Sequence, residues 1–379
     1  MKVALSAQLL SASATYRTAG ISRVIYELLA HLPGVPSSLE YLVFAPDSPQ
    51  SRGLLSTRIQ GRLTRLPMDR PVVRLAWEQL AQPLELAWQG VNLVHALGTV
   101  APCAWRGPTV VTLYDLSFMR FPELFKRGNR LYLRLLAPPS LRRASRVIAI
   151  SEHTRQDAIR LCGVAPERVT AIHLAADPRF RPADAAQVTR FRQQRGLASP
   201  FILYLGTLEP RKNVATLVRA YAKLGAAERT GLKLVLAGGR GWQYESIFAL
   251  VHQLGLTDDV LFPGFVPTGE EALWYTAAEI FAFPSLYEGF GLPLLEAMAC
   301  GTPVVASNTS SLPEVVGSAG LLVEPTDVHG LAAALQRLID DDDLRARLRA
   351  AGLARASLFS WQRMAEQTVQ VYREVFGAA

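Results

Sequence analysis

Two carboxylates, Glu288 and Glu296, stand either side of a glycine turn in Ser285-Leu-Tyr-Glu-Gly-Phe-Gly-Leu-Pro-Leu-Leu-Glu-Ala-Met-Ala-Cys-Gly301. An ionised carboxylate has two acceptor oxygens and can take both neighbouring hydroxyls of a sugar ring. Gly289 and Gly291 leave backbone N–H groups open to close approach. Pro293, read as the first helical position, starts a helix whose positive end points at the same place, where a phosphate fits. A polyphosphate alone would be repelled by two acids, so each must face a hydroxyl donor. The stretch therefore points to a nucleotide-sugar. Without the glycines the same acids read equally as a solvated loop residue and a surface helix residue.

A second group of charges supports that chemistry. Gly206-Thr-Leu-Glu-Pro-Arg-Lys-Asn213 follows an apolar run and precedes a helical one, which places it at the carboxyl end of a parallel sheet, where such folds bind ligands. Arg211 and Lys212 there would neutralise a diphosphate, most of all as negative charge gathers on a departing group. Ala237-Gly-Gly-Arg-Gly-Trp242 is another strand-to-helix glycine turn, without the G-x-G-x-x-G spacing of a nicotinamide site. Phe262-Pro-Gly-Phe-Val-Pro267 closes a further strand, and its backbone can meet a flat base. In the first half, Tyr114 and Asp115 stand at the end of one strand and His95 at the end of another. They are candidates to face an acceptor, although such residues more often serve packing. Asp340-Asp-Asp-Asp343 reads as a solvated helix start rather than a metal site, and no His/Cys/Asp group elsewhere has metal spacing.

These groups need two scaffolds. At 379 residues, half of them hydrophobic, and a mean hydropathy of +0.16, the chain can bury two cores. Strands are predicted at Lys2–Leu10, Tyr41–Ala45, Val91–His95, Val110–Leu113 and Val147–Ile150, with helical runs between them, among them Thr18–Leu29 entered through Gly20 and a Trp-bearing run from Val72 to about Trp88. A turn-rich boundary falls in Ala175–Gln194. Beyond it the alternation resumes, with strands at Phe201–Gly206, Lys233–Ala237, Val260–Pro263, Ile280–Pro284, Pro303–Ala306 and Gly320–Val323. The expectation is α/β: an N-terminal Rossmann-like acceptor-binding domain over 1–185, a donor-binding one over 186–358, both doubly wound parallel sheets, and a C-terminal helix over 359–379 that packs back on the first domain.

Charge is uneven. Residues 1–185 carry 23 Lys+Arg against 13 Asp+Glu, and residues 186–379 carry 17 against 19. A basic first half fits an anionic membrane surface or acidic acceptor. Nucleic acid is excluded as a partner, since no stacking aromatics interleave the basic residues. The amphipathic stretch Leu124–Leu136, with Lys126, Arg127, Arg130 and Arg134 beside Phe125, Leu131, Tyr132, Leu133 and Leu135, reads as a helix packed on its own domain or as one lying on a membrane. No apolar run reaches the length of a membrane span. Met1–Ala14 imitates a signal peptide, but its apolar run is broken by Ser6 and Gln8 and reads as a first strand. Three separated cysteines fit a reducing compartment, the cytoplasm, with the inner membrane face as the place of contact.

Taken together, the Glu288-to-Glu296 element, Gly206–Asn213, Gly238-Gly-Arg-Gly-Trp242, Trp77-Glu-Gln79, Asp115-Leu-Ser-Phe118 and Ser151-Glu-His-Thr154 resemble the retaining glycosyltransferases of the GT-B fold (family 4, group 1), in the branch of bacterial mannosyl- and glucosyltransferases. The resemblance spans the chain. It implies two Rossmann-like domains facing across a cleft and transfer of a hexose, best read as mannose from GDP-mannose, to a glycan or lipid-linked acceptor in polysaccharide biosynthesis. Cofactor and metal are not expected. It implies Arg211 and Lys212 on the diphosphate, Glu296 on the ribose, Glu288 on the transferred sugar, and Phe290, Gly291 and Leu292 as backbone donors. Gly20, Gly206, Thr207, Gly238, Phe265, Val266 and Gly289 complete the donor side, with Asp115 and Tyr114 catalytic and His95 toward the acceptor. Many relatives have His-Asp where this chain has Tyr114-Asp115. A phenol can donate one hydrogen bond but carries no positive charge near neutral pH. The alternatives are a UDP-glucose-type donor with the same chemistry, or a nucleotide-sugar-binding protein of weak or absent turnover.

Overall fold

The computed structural model describes residues 1–10, 19–124, 127–225 and 231–377. Ser11–Ala14, Thr18, Phe125 and Lys126, which figure in the sequence readings above, lie outside the described residues.

The chain divides into two compact units, Met1–Leu174 with Ser360–Ala379, and Ala175–Phe359. The division falls earlier than residue 185: the turn-rich Asp177–Pro182 belongs to the second unit, where Arg179 pairs with Glu271 (3.2 Å) and the ring of Phe180 packs edge-on against Tyr275.

The first unit holds seven parallel strands: β1 (Lys2–Ser6), β2 (Glu40–Pro46), β3 (Ile59–Thr64), β4 (Leu93–Ala96), β5 (Thr109–Leu113), β6 (Arg146–Ala149) and β7 (Val169–Ala171), in the order β3-β2-β1-β4-β5-β6-β7. The second holds β8 (Phe201–Leu205), β9 (Lys233–Ala237), β10 (Val260–Gly264), β11 (Ile280–Phe283), β12 (Val304–Ser307) and β13 (Leu321–Val323), in the order β10-β9-β8-β11-β12-β13, again all parallel. Central strands such as Phe201–Tyr204 and Ile280–Phe283 are wholly buried, as expected where helices cover both faces of a parallel sheet. Strand order reverses between β1 and β4 and between β8 and β11. A crevice opens at such a switch, at the carboxyl ends of the strands.

β1 is shorter than the sequence suggested, ending at Ser6. β3 and β7 were not anticipated. β3 is an edge strand flanked by Arg58 and Arg65 and carrying Arg62, a composition that suits an unpaired edge and conceals the strand from a hydrophobic pattern. The run before β4 is helical from Pro71 to Trp88, interrupted by a π-helical turn at Trp77–Ala81 that the residue pattern did not reveal. Among the described residues no helix is long and apolar enough to cross a membrane.

The helix Trp361–Gly377 completes the first unit. Tyr372 reaches the buried His95 on β4, sharing a hydrogen bond with Nδ1 (2.6 Å), and Nε2 meets the Thr112 hydroxyl on β5 (2.8 Å). Arg146 on β6 also pairs with Glu374 (3.2 Å). His95 is therefore a core residue that links two strands to the last helix, and the acceptor-side reading of it is corrected. Burial lowers its pKa to about 3. Since the unfolded chain takes up this proton near pH 6.5 and the folded one does not, the unfolded state binds more protons between those values, and stability falls as pH drops through that window. Chemical denaturation from pH 7 to pH 5 should show a loss approaching about 1.4 kcal/mol per pH unit from this group. His95→Leu should flatten that slope while lowering stability at pH 7 by about 1–3 kcal/mol, because two hydroxyls lose their partner.

Candidate active site

The second unit's switch between β8 and β11 brings together the two stretches that the sequence marks out. After β8 the chain makes a 3-10 turn at Pro210–Lys212, then enters the left-handed region at Asn213 (φ 56°). The Asn213 amide donates to the carbonyls of Pro284 (3.0 Å) and Pro325 (2.6 Å) and its oxygen accepts from Thr216 (2.7 Å). Leu286 N donates to Arg211 O (2.9 Å). Asparagine tolerates this backbone conformation and supplies both donor and acceptor, so it ties the loop after β8 to the end of β11. Sequence reasoning quoted Asn213 within its motif but gave it no such role. The signal was an Asn directly before a helix in a loop otherwise rich in charge.

That tie sets two cations against Glu288. Lys212 Nζ lies 2.6 Å from Glu288 Oε1, and Arg211 Nη1 lies 3.3 Å from Oε2 while donating to Tyr287 O (2.7 Å). Arg211 Nη2 reaches Glu209 (3.0 Å). Burial alone would push the Glu288 carboxyl up, but Lys212 and Arg211 together hold it below the usual carboxylate value, so it is ionised at neutral pH. The two cations and two acids balance. The sequence reading gave Arg211 and Lys212 to one part of a ligand and Glu288 to another; the structure joins them in one ion cluster.

The Glu288 main chain is fixed as firmly. Its N–H donates to the Ser310 hydroxyl (3.0 Å), Ser310 itself being in the left-handed region (φ 52°). The Ser311 hydroxyl donates to the carbonyls of Glu288 (3.0 Å) and Phe290 (2.8 Å). Phe290 is buried, its ring edge-on to Phe359. Gly289 is also buried. Gly291, at φ 106°, is the N-cap of the helix Leu292–Ala299 with no side chain capping it, and Leu292, not Pro293, is the first helical residue. The backbone N–H end of that helix thus carries the positive pole of the helix dipole without a side-chain acceptor. In its second turn Glu296, buried like Glu288, accepts a hydrogen bond from Tyr275 (3.0 Å). Burial, then the charge of Glu296, raise the Tyr275 phenol well above its usual value, so it stays a donor.

The remaining donor-side candidates line up along neighbouring strand ends. Gly206 N donates to Ala237 O and Gly238 N to Gly264 O, which stitches together the ends of β8, β9 and β10. Thr207 O accepts from the Tyr204 hydroxyl (2.9 Å). Gly238 has φ 138°, and a Cβ there would overlap the backbone of Gly206. Beyond β10, Phe265 is half exposed and Val266 is buried.

First-unit candidates fare differently. Gly20 lies in the first turn of the helix Ala19–His31, where an added Cβ would meet nothing within 4 Å among the described residues. Asp115 accepts from the Ser117 N–H (2.9 Å) and hydroxyl (2.5 Å), which shapes the start of a short helix. Tyr114 is buried, and its hydroxyl donates to Leu97 O (3.0 Å); burial raises the phenol's pKa. Its one proton is used inside the unit, which corrects the reading of Tyr114 as a catalytic group. Among the described residues no group of three or more His, Cys, Asp or Glu is arranged to hold a metal ion. Asp341 caps the helix Asp342–Ala356 by accepting from Leu344 N.

Two parallel-sheet units, with a charged cluster and glycine loops at the switch point of the second, define an α/β protein of the class that binds ligands at the carboxyl ends of its strands. Residues 187–355 match the family described as Glycosyl transferases group 1, and residues 18–180 match Glycosyltransferase Family 4. The chain is 33% identical to the O-antigen chain mannosyltransferase B of Escherichia coli, over 94% of this chain and 97% of that protein. Its fold superposes with a TM-score of 0.75 on sucrose-phosphate synthase from Thermosynechococcus elongatus, at 26% identity and full coverage of both chains. It superposes equally well (0.75) on Anabaena HepE in complex with UDP-glucose, at 24% identity, covering 99% of this chain and 100% of that one. The chain belongs to glycosyltransferase family 4, group 1, and has the GT-B fold.

Two substitutions test the packing of this region. Gly238→Ala should destabilise the protein by about 3 kcal/mol, since backbone must move to admit the methyl group. Tyr275→Phe should lower stability by about 1.5–3 kcal/mol, because the buried Glu296 carboxylate loses a donor. Denaturant titration of the purified variants reads both.

Proposed function

We propose that this glycosyltransferase is a retaining, metal-independent hexosyltransferase that moves mannose from GDP-mannose to a glycan or lipid-linked acceptor. The carrying observation is the cluster of Arg211, Lys212 and Glu288 at the carboxyl ends of β8 and β11. Mannose as the sugar follows the name of the mannosyltransferase relative, which matches over nearly its whole length. The alternative donor, a UDP-glucose-type compound, is motivated by the structural neighbour in complex with UDP-glucose.

In this reading the nucleoside diphosphate enters between the N-terminal end of the helix Leu292–Ala299 and the Arg211–Lys212 turn, and its phosphates take over donors now shared with Glu288. Freed in part from Lys212, the Glu288 carboxylate accepts hydroxyls of the transferred sugar, while Glu296, oriented by Tyr275, accepts those of the ribose. The sugar–phosphate bond breaks with its electron pair going to the departing phosphate oxygen. Arg211 and Lys212 hold that charge better than they hold the intact donor, which is what accelerates the step. The acceptor hydroxyl forms the new bond on the face the phosphate leaves, its proton passing to the departing phosphate, so configuration is retained. Gly206, Thr207, Gly238, Phe265 and Val266 frame the base and ribose, and the resemblance adds Gly20 to the donor-side residues.

Lys212→Ala should lower transfer at least 100-fold with donor binding weakened and the fold retained; unchanged turnover in the purified variant would sink the diphosphate assignment. Gly20→Ala separates packing from ligand contact. It should stabilise the helix by up to about 1 kcal/mol, since among the described residues nothing lies within 4 Å of the added methyl; reduced transfer in a variant that melts no lower is the outcome expected if that methyl crowds a ligand. A thermal-shift series with GDP-mannose, UDP-glucose and ADP-glucose identifies the donor, since a ligand that binds the folded state alone raises its apparent stability. Retention is read from the anomeric configuration of the product by NMR.

A second reading, donor binding without turnover, is favoured by one observation: the Tyr114 hydroxyl is committed to Leu97 O. Donor-dependent stabilisation without transfer or donor hydrolysis, and gain of activity in Tyr114→His, would establish it.

A further inference from the structure

The loop after β11 holds a buried hydroxyl that the free protein leaves unused. Ser285, just beyond the end of that strand, is fully buried, and among the described residues its Oγ meets no partner within hydrogen-bond length and angle. Neighbouring hydroxyls are spent. Ser310 accepts from the Glu288 N–H (3.0 Å), and Ser311 donates to the carbonyls of Glu288 (3.0 Å) and Phe290 (2.8 Å). Buried hydroxyls are almost always paired, because one without a partner forfeits its bonds to water and gains nothing in return. An unspent hydroxyl inside a ligand site implies a second arrangement of that site in which it is used.

The acid within its influence is Glu288. Burial pushes the Glu288 carboxyl up; Lys212 and Arg211, and then the Ser285 hydroxyl, bring it below its usual value. In the free protein Lys212 holds Oε1 (2.6 Å) and Arg211 holds Oε2 (3.3 Å). Under the function proposed above, a diphosphate claims these cations. A carboxylate so deeply buried stays ionised only if other donors replace the ones it loses. Hydroxyls of the transferred sugar supply part of that need, and Ser285 is the donor that the protein itself keeps at hand. The other polar groups facing Glu288 cannot take this part. Glu209 is an acid held by Arg211 (3.0 Å), and the Tyr204 phenol already donates to Thr207 O (2.9 Å).

We propose that Ser285 is a positioning residue for sugar transfer: its hydroxyl donates to Glu288 once the donor's phosphates draw Lys212 away, and so aims the carboxylate at the transferred sugar. The inference rests on the diphosphate reading of Arg211 and Lys212. A hydroxyl proton turns about its C–O bond to suit its acceptor. The exchange therefore needs only side-chain rotation, with the backbone of Glu288 still fixed by Ser310 and Ser311.

The test is Ser285→Ala in the full chain, with melting temperature, donor-induced thermal shift and steady-state transfer measured with GDP-mannose and with UDP-glucose. The free variant should melt no lower than the parent, since the hydroxyl removed makes no bond there. Its donor-induced shift should be smaller and its kcat about tenfold lower or more, the scale of one hydrogen bond to a charged group. Ser285→Cys, a weaker donor of similar shape, should fall between the two. The acid limb of the kcat profile should move to higher pH in Ser285→Ala, because kcat reports the loaded complex, where Glu288 loses a donor that favours its charged form. Ser307→Ala is the control: its hydroxyl, at the end of the neighbouring strand β12, is also buried without a partner among the described residues, and its loss should leave transfer unchanged. Parental kcat and an unmoved acid limb in Ser285→Ala would overturn the proposal, whatever the melting temperature, and so would an equal loss of transfer in Ser307→Ala. Lys212→Ala, run alongside, keeps the two readings apart. If it retains transfer, the diphosphate assignment fails and this inference with it; if it loses transfer while Ser285→Ala keeps it, this inference alone fails.

Discussion

A carboxylate buried beside two cations governs the second unit. Removing Glu288 from water is costly, and the cost is offset only because Lys212 and Arg211 are held within reach. Holding them there requires the left-handed backbone at Asn213, its bonds to two proline carbonyls, and the serines that fix the Glu288 main chain. The switch between β8 and β11 supplies the place where these loops can meet. The cluster is charge-balanced, so it is a structural clasp for these loops. Under the proposed function it would also be a set of donors for an incoming diphosphate, which would tie the stability of the loop to its ligand.

Much of this was legible from residue types. Central strands buried on both faces read as unbroken apolar runs, and Phe201–Leu205 and Ile280–Phe283 fall close to where the pattern predicts them. Glu288, Glu296, Arg211 and Lys212 were picked out because charged residues beside glycine turns are unusual among those runs. What the sequence concealed has physical causes. β3 carries arginine on an exposed edge, so charge masked the strand. The π turn at Trp77–Ala81 adds one residue to a helix without any distinctive composition. Pairing of Glu288 with the cations depends on loop geometry that spacing alone does not fix.

The first unit shows the opposite error. His95 and Tyr114 are the residue types that catalysis favours, at strand ends, yet both spend their hydrogen bonds inside the unit, on Tyr372 and Thr112 and on Leu97. A polar side chain at the end of a buried strand must find partners somewhere, and the interior had them. Position in a strand shows where a side chain begins; its partners decide what it can do.

The last helix bears on how the protein is made. Trp361–Gly377 contributes Tyr372 to the core of the first unit, but in sequence it follows the whole of the second. As the chain emerges from the ribosome, β4 and β5 appear with His95 Nδ1 unsatisfied, and its partner Tyr372 is synthesised only after Ala175–Phe359 has had time to fold. The order of synthesis therefore makes the second unit the first that can be complete, and leaves the first unit waiting, with an open seam, until Trp361–Gly377 has been made.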